Sequence, residues 1–356
     1  MVEELLLVLA EVSHVPAVAS HGCAGRLRPM VAGLAVLIAA GVAFTWELWR
    51  PEPGESFSGA PPAATVVEKS LAERLHDDVT TLSVRYGERS MQRVETLNAS
   101  ADWVAEQLED AGLTVRRQQL DVSGQVVENV STTLPGTEWP DELVVIGAHY
   151  DTAAGSPGAN ANGSGVAATL ALAKMLSAAE HRRSVVLVFF ACSVEPFMQT
   201  DSMGSLIWAR AAEAGGQEVV AMLSLDSLGY YTDEPATQHF PREIASFYPK
   251  VGDFVSVVGN FPSAGLANRV IGLFRDVASV PSEMGVGMPS WDGVGWSDHW
   301  SFWQCGWPAL IVSDSGPYRD PAYQRWNDRA GRLDYETMAR IVVALESVVT
   351  HLANDD

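Results

Sequence analysis

The sequence predicts an α/β fold: a three-layer sandwich whose mostly parallel, mixed central sheet carries helices on both faces. Three observations lead there. LVVIGAHYD (143–151) and SVVLVFFACS (184–193) are continuous apolar runs, the pattern of strands buried on both sides. Stretches of helical periodicity lie between runs of this kind, so the strands are joined by crossover helices. Of 356 residues, 47% are apolar, 19% are charged and 11 are Trp, enough to fill a sizeable core and to set disorder aside.

From the N-terminus, residues 30–46 carry no charge and with their flanks approach the roughly 20 residues that span a bilayer. Arg26 and Arg28 precede this run and PEPGES follows it. The positive-inside rule therefore predicts a single-pass anchor with a cytoplasmic N-terminus and an extracytoplasmic main domain. A cleaved signal peptide competes, but no small-x-small site follows. The predicted organisation is a short tail at 1–28, a transmembrane anchor at 29–50, a flexible Pro/Gly/Ser/Ala-rich stalk at 51–66 and one domain at 67–356. Within that domain Val94, Leu97, Ala101, Val104 and Leu108 recur at helical spacing and stop at Gly112, a natural cap. Residues 166–176 read as a second helix. EVVAMLSLDSLGYY and PALIVSD supply further strands. Met338, Ile341, Leu345, Val348 and Leu352 form one face of a closing helix. No internal repeat occurs.

A net charge of −21 excludes a phosphate-binding, nucleic-acid-recognising surface as the main function. Cys23, Cys192 and Cys305 are too scattered for a zinc ribbon or a disulfide framework. In sheets of this type chemistry collects beyond the carboxyl ends of the strands. That selects AHYDT, GANANGSG, ACSVEP, SLDSLGYY and the loop after PALIVSD. Gly163-Ser-Gly165 superficially fits a dinucleotide loop, but it lies far from the end of the preceding strand, and no acidic ribose partner closes the second strand.

Taken together, His149-Tyr-Asp151, the GANANGSG loop, ACSVEP with Gln199-Thr200 and Met203-Gly204-Ser205, LDSLGYY, and Ser297-Asp298-His299-Trp300 resemble the M28 family of co-catalytic zinc aminopeptidases, in order, from about Val67 to the C-terminus. The resemblance implies the zinc-aminopeptidase fold and assigns roles. His149 falls on a metal ligand, Asp151 on the acid that orients its ring, and Asp226 on a terminal carboxylate ligand of the same metal. The remaining positions depart from the pattern. Ala161 stands where an Asp bridges both metals, Ser193 on the general base, Val194 on a Glu ligand and Gln324 on a His ligand. Catalytic zinc takes three protein ligands and a water, so the expectation is a pseudopeptidase with no catalytic residue and no cofactor, binding an unidentified protein or peptide. Two rescues are weighed: Glu195 replacing a ligand or the base, which would restore zinc and aminopeptidase activity, and a serine mechanism through Ser193, His149 and Asp151. Arg325 is the expected charge replacement for a missing metal beside Asp151 and Asp226.

Overall fold

The computed structural model describes residues 53–240 and 245–355. Its strands are β1 (Val115–Val122), β2 (Gln125–Leu134), β3 (Gly136–His149), β4 (His181–Phe190), β5 (Glu218–Leu225), β6 (Val255–Asn260), β7 (Ser282–Gly287) and β8 (Ala309–Ser313). They form one eight-stranded sheet in the order β1-β2-β4-β3-β5-β8-β6-β7. β3 runs parallel to β4 and β5, β5 to β8, and β6 to β7. β1–β2, β2–β4 and β6–β8 are antiparallel, so the sheet is mixed, as expected.

The helices are α1 (Val66–Thr80), α2 (Val94–Asp110), α3 (Gly165–Leu176), α4 (Gly204–Ala214), α5 (Ala264–Val277), α6 (His299–Gln304), α7 (Gly316–Arg319) and α8 (Tyr335–Asn354). The pleat divides each central strand between two cores. Val144, Ile146 and Ala148 join Val185, Leu187 and Phe189 in the larger core, together with residues of α1, α2, α3, α5 and α8. Leu143, Val145, Val186, Val188 and Phe190 face the other way, onto Ala209 of α4 and Phe302 of α6. This is why both runs read as uninterrupted apolar sequence.

Helix ends follow local chemistry. Thr65 and Glu68 form a reciprocal capping box at the start of α1. The Asp334 carboxylate accepts from Thr337 N–H at the start of α8. α2 stops where Gly112 takes φ +78° and Leu113 N–H returns to the Leu108 carbonyl.

The expected tail at 1–28 and anchor at 29–50 lie outside the described residues, among which no helix is long and apolar enough to cross a membrane. From Pro53 onward the segment read as a stalk lies along the domain. Ser56 Oγ accepts from Ser282 N–H of β7, and the Pro62 carbonyl accepts from Arg340 of α8.

Candidate active site

β3, β4, β5 and β8 are mutually parallel, so their carboxyl ends deliver four loops to one rim of the sheet. His149 closes β3. The strand ladder continues one residue further through Tyr150 N–H to the Phe190 carbonyl, and the chain then turns to present Asp151. His149 Nδ1 lies 3.0 Å from the Asp151 carbonyl and 3.3 Å from Asp151 Oδ1, while Nε2 faces Asp226 Oδ2 at 3.5 Å. All three residues are buried. Burial alone would lower the His149 pKa. Hydrogen bonds and charge from Asp151 and Asp226 outweigh it and hold the imidazole well above its ordinary value. Burial likewise opposes the Asp226 charge, but His149, Ser297 and Ser227 bring that carboxyl below its usual value. The structure brings His149, Asp151 and Asp226 together.

Ser193 is committed elsewhere. Its hydroxyl donates to Asp298 Oδ1 at 2.6 Å, and its N–H and that of Val194 donate to Asp151 Oδ2. The Ser193–His149–Asp151 triad is therefore not assembled, since the serine proton points to Asp298. Burial raises Asp298 to a pKa of about 6, against the charge of His149 and the serine hydrogen bonds. His299 is a structural histidine. Its Nε2 meets the Val294 carbonyl at 2.7 Å, and burial drops its pKa to about 4. Glu195 is exposed on the outer side of this loop and does not turn in to replace Ser193 or Val194, because Val194, not Glu195, is the residue the loop buries.

The glycine loop is a packing device. Asn162 Oδ1 accepts from Gly165 and Ser227 N–H, and its amide donates to the Leu225 carbonyl, which clamps the loop to the end of β5. A Cβ on Gly165 would sit 2.2 Å from the Leu225 carbonyl oxygen, so this glycine serves close approach and no phosphate cradle opens there. Ala161 is buried and holds no polar side-chain atom toward Asp226; its N–H and that of Asn160 are gripped by Asp328 at 3.0 and 2.8 Å. Burial raises Asp328 to about 6 despite those hydrogen bonds. Asp314, just past β8, accepts from Asn160 and from Tyr230 N–H. Burial pushes it up to about 7, against Arg319 and those hydrogen bonds.

Sequence reasoning missed Arg89, which is fully buried beneath these loops. Its guanidinium donates to the carbonyls of Tyr150, Leu82, Gly87, Pro157 and Gly158. Burial lowers its pKa to about 10, offset by the charges of Asp328 and Asp151, so it stays a cation. Nothing local in YGERSMQR marks it. The expectation for Arg325 is corrected: its side chain is exposed and pairs with neither aspartate, because His149 already stands between them. Gln324 is half-buried with φ +55°, and its amide reaches only the Tyr323 hydroxyl, at 3.3 Å.

Beside Asp226 opens a cavity of about 140 Å³, lined chiefly by Phe240, Tyr248, Phe254, Trp291, Trp296 and Tyr318. Among the described residues, no group of three or more His, Cys, Asp or Glu side chains converges to hold a metal ion. A mixed sheet with an aromatic pocket and a His–Asp pair at its carboxyl rim defines an α/β scaffold with a cleft beside buried acidic groups. Residues 129–349 match the model of peptidase family M28, more than half of the chain, and the chain belongs to that family. It is 32% identical over 292 residues to the Escherichia coli (strain K12) protein YfbL, spanning 79% of this chain and 88% of that one. The Legionella pneumophila LapA aminopeptidase superposes with a TM-score of 0.63 at 19% identity, covering 84% of this chain and 78% of LapA. BSAP, a zinc aminopeptidase from Bacillus subtilis, does so with 0.60 at 14%, covering 80% and 95%. At these identities the two structures speak for the fold alone.

Proposed function

We propose that this chain is a pseudopeptidase, a recognition or assembly module that keeps the family's cleft for a peptide end without its hydrolytic centre. We place it on the extracytoplasmic side of a membrane, held by the anchor at 29–50. The observation that carries this reading is the donor set. Among the described residues only His149 and Asp226 meet at the position the family gives to metal, and Ala161, Val194 and Gln324 offer no anionic or imidazole donor. Catalytic zinc needs three such ligands, so the residues present do not fit a two-metal centre and no hydrolytic step is derived through one. With Ser193 in place of the base, proton abstraction worth ~100–10,000-fold is also missing. The aromatic pocket beside Asp226 remains suited to an apolar side chain.

A second reading, an atypical single-metal aminopeptidase, is favoured by one distance. Two donors on one tetrahedral zinc stand ~3.3 Å apart, and His149 Nε2 and Asp226 Oδ2 are 3.5 Å apart. Exposed Glu195 supplies neither the third ligand nor the base to this reading.

The test is elemental analysis of the full-length chain after incubation with excess zinc and desalting, beside an assay with aminoacyl anilides. Substoichiometric zinc and no turnover support the pseudopeptidase. One or two tightly held equivalents together with turnover would sink it.

A further inference from the structure

The loop that follows Asp320 combines features the pocket alone does not explain. Its two ends are pinned from within. Asp320 Oδ1 accepts from Ala322 N–H and Arg332, and Asp328 grips the amides of Asn160 and Ala161. Between these anchors Tyr323 lines the pocket while Arg325 and Trp326 are exposed, and exposed Arg329 follows directly after Asp328. Trp326 is 71% exposed and carries the Arg329 guanidinium 5.6 Å from its ring centroid. Neither Arg325 nor Arg329 has a carboxylate partner among the described residues, in a chain with 44 acidic residues against 23 Lys and Arg. The pocket has the opposite character. Among the described residues its charged lining is Asp226, Glu283 and Asp292, with no Lys or Arg.

An elongated ligand lying from pocket to loop therefore meets an apolar, acidic interior and then an aromatic, basic rim. We infer that the cleft selects peptides with a free amino terminus and an apolar first residue, followed within a few positions by acidic residues that pair with Arg325 and Arg329. This rests on the peptide-end reading above and adds the choice of sequence beyond the first residue. The first side chain fills the pocket while the ammonium sits at its mouth beside the exposed Asp292. An extended peptide advances about 3.3 Å per residue, so its next residues pass along the loop that begins at Tyr323. The pinned ends keep the two guanidinium groups presented before the ligand arrives, which lowers the ordering cost of binding. An anionic membrane is the lesser fit. Stable electrostatic adhesion takes clusters of about 4–8 basic residues, and the net charge of −21 repels such a surface.

The experiment measures binding of labelled pentapeptides to the full-length chain by fluorescence anisotropy. The probes are Phe-Gly-Glu-Glu-Gly, its Lys-Lys and Gln-Gln counterparts, and an N-acetylated copy of each. The acidic peptide should bind roughly 2–30-fold tighter than the neutral one, from two exposed pairs. That margin should shrink as salt rises from about 0.02 to about 0.5 M. The double variant Arg325→Glu/Arg329→Glu should reverse the order between acidic and basic peptides. Continued sensitivity to N-acetylation in that variant shows that its pocket is still formed. Equal affinity for the three sequences, with acetylation still weakening them, overturns this inference and leaves the peptide-end reading standing. No binding by any free-amino peptide overturns both. Adhesion to phosphatidylserine vesicles that is lost in the double variant, without acidic-peptide preference, overturns it in favour of a lipid surface.

Discussion

Replacing Arg89 by lysine is expected to cost about 2–6 kcal/mol of folding stability, although the charge is kept. Five carbonyls from three segments, residues 82–87, 150 and 157–158, converge on the guanidinium. A lysine ammonium has three donors, so at least two of these charge-assisted bonds are lost in a fully buried site, at about 1–3 kcal/mol each; of the five carbonyls, Leu82 and Gly158 keep a second donor in Gly87 and Gly163 N–H. Arg89→Met removes all five bonds and the cation facing Asp328 and Asp151, and should lie above about 5 kcal/mol. Urea titration followed by Trp fluorescence reads both variants, with the m-value checked for constancy. An Arg89→Lys chain within about 1 kcal/mol of the parent would refute the reasoning, because water or local collapse would then satisfy those carbonyls.

Asp314 should report on pH. Its folded pKa is raised to about 7 from an ordinary 3.8, so its charge opposes folding above pH 7, and stability is gained as pH falls from 7 toward 4. Asp314→Asn should therefore stabilise the chain at pH 8 by at most about 4 kcal/mol, with the gain fading toward pH 4 in thermal melts. Ala161→Asp offers a third ligand beside His149 and Asp226. It should convert substoichiometric zinc uptake into stoichiometric binding, with a zinc-dependent rise in Tm that the parent lacks. Unchanged zinc uptake would show that residue 161 does not face that pair.

The central strands were legible because burial on both faces leaves no polar residue to interrupt them; β3, β4, β5 and β8 fall on the four apolar runs. The peripheral strands were not. β1 reads VRRQQLDV, with Arg116, Arg117, Gln119 and Asp121 exposed at the sheet edge, and β7 reads SEMGVG, short and glycine-broken. Of the site, His149, Asp151 and Asp226 were recoverable from ordered motifs. The aspartates that hold the loops were not, since Asp314 and Asp328 act on partners 154 and 167–168 residues away. The Arg325 expectation failed for a physical reason: with His149 placed between them, the two carboxylates had no need of a distant guanidinium.

Asp328 holds the glycine loop through the amide hydrogens of residues 160 and 161. Every amino acid except proline supplies that group, so the two hydrogen bonds that hold the loop do not depend on which side chain residue 161 carries. Substitution at this position can therefore drift without dismantling the architecture around it. A lineage could exchange one chemistry for another here in a single step, with the frame insured in advance against the change.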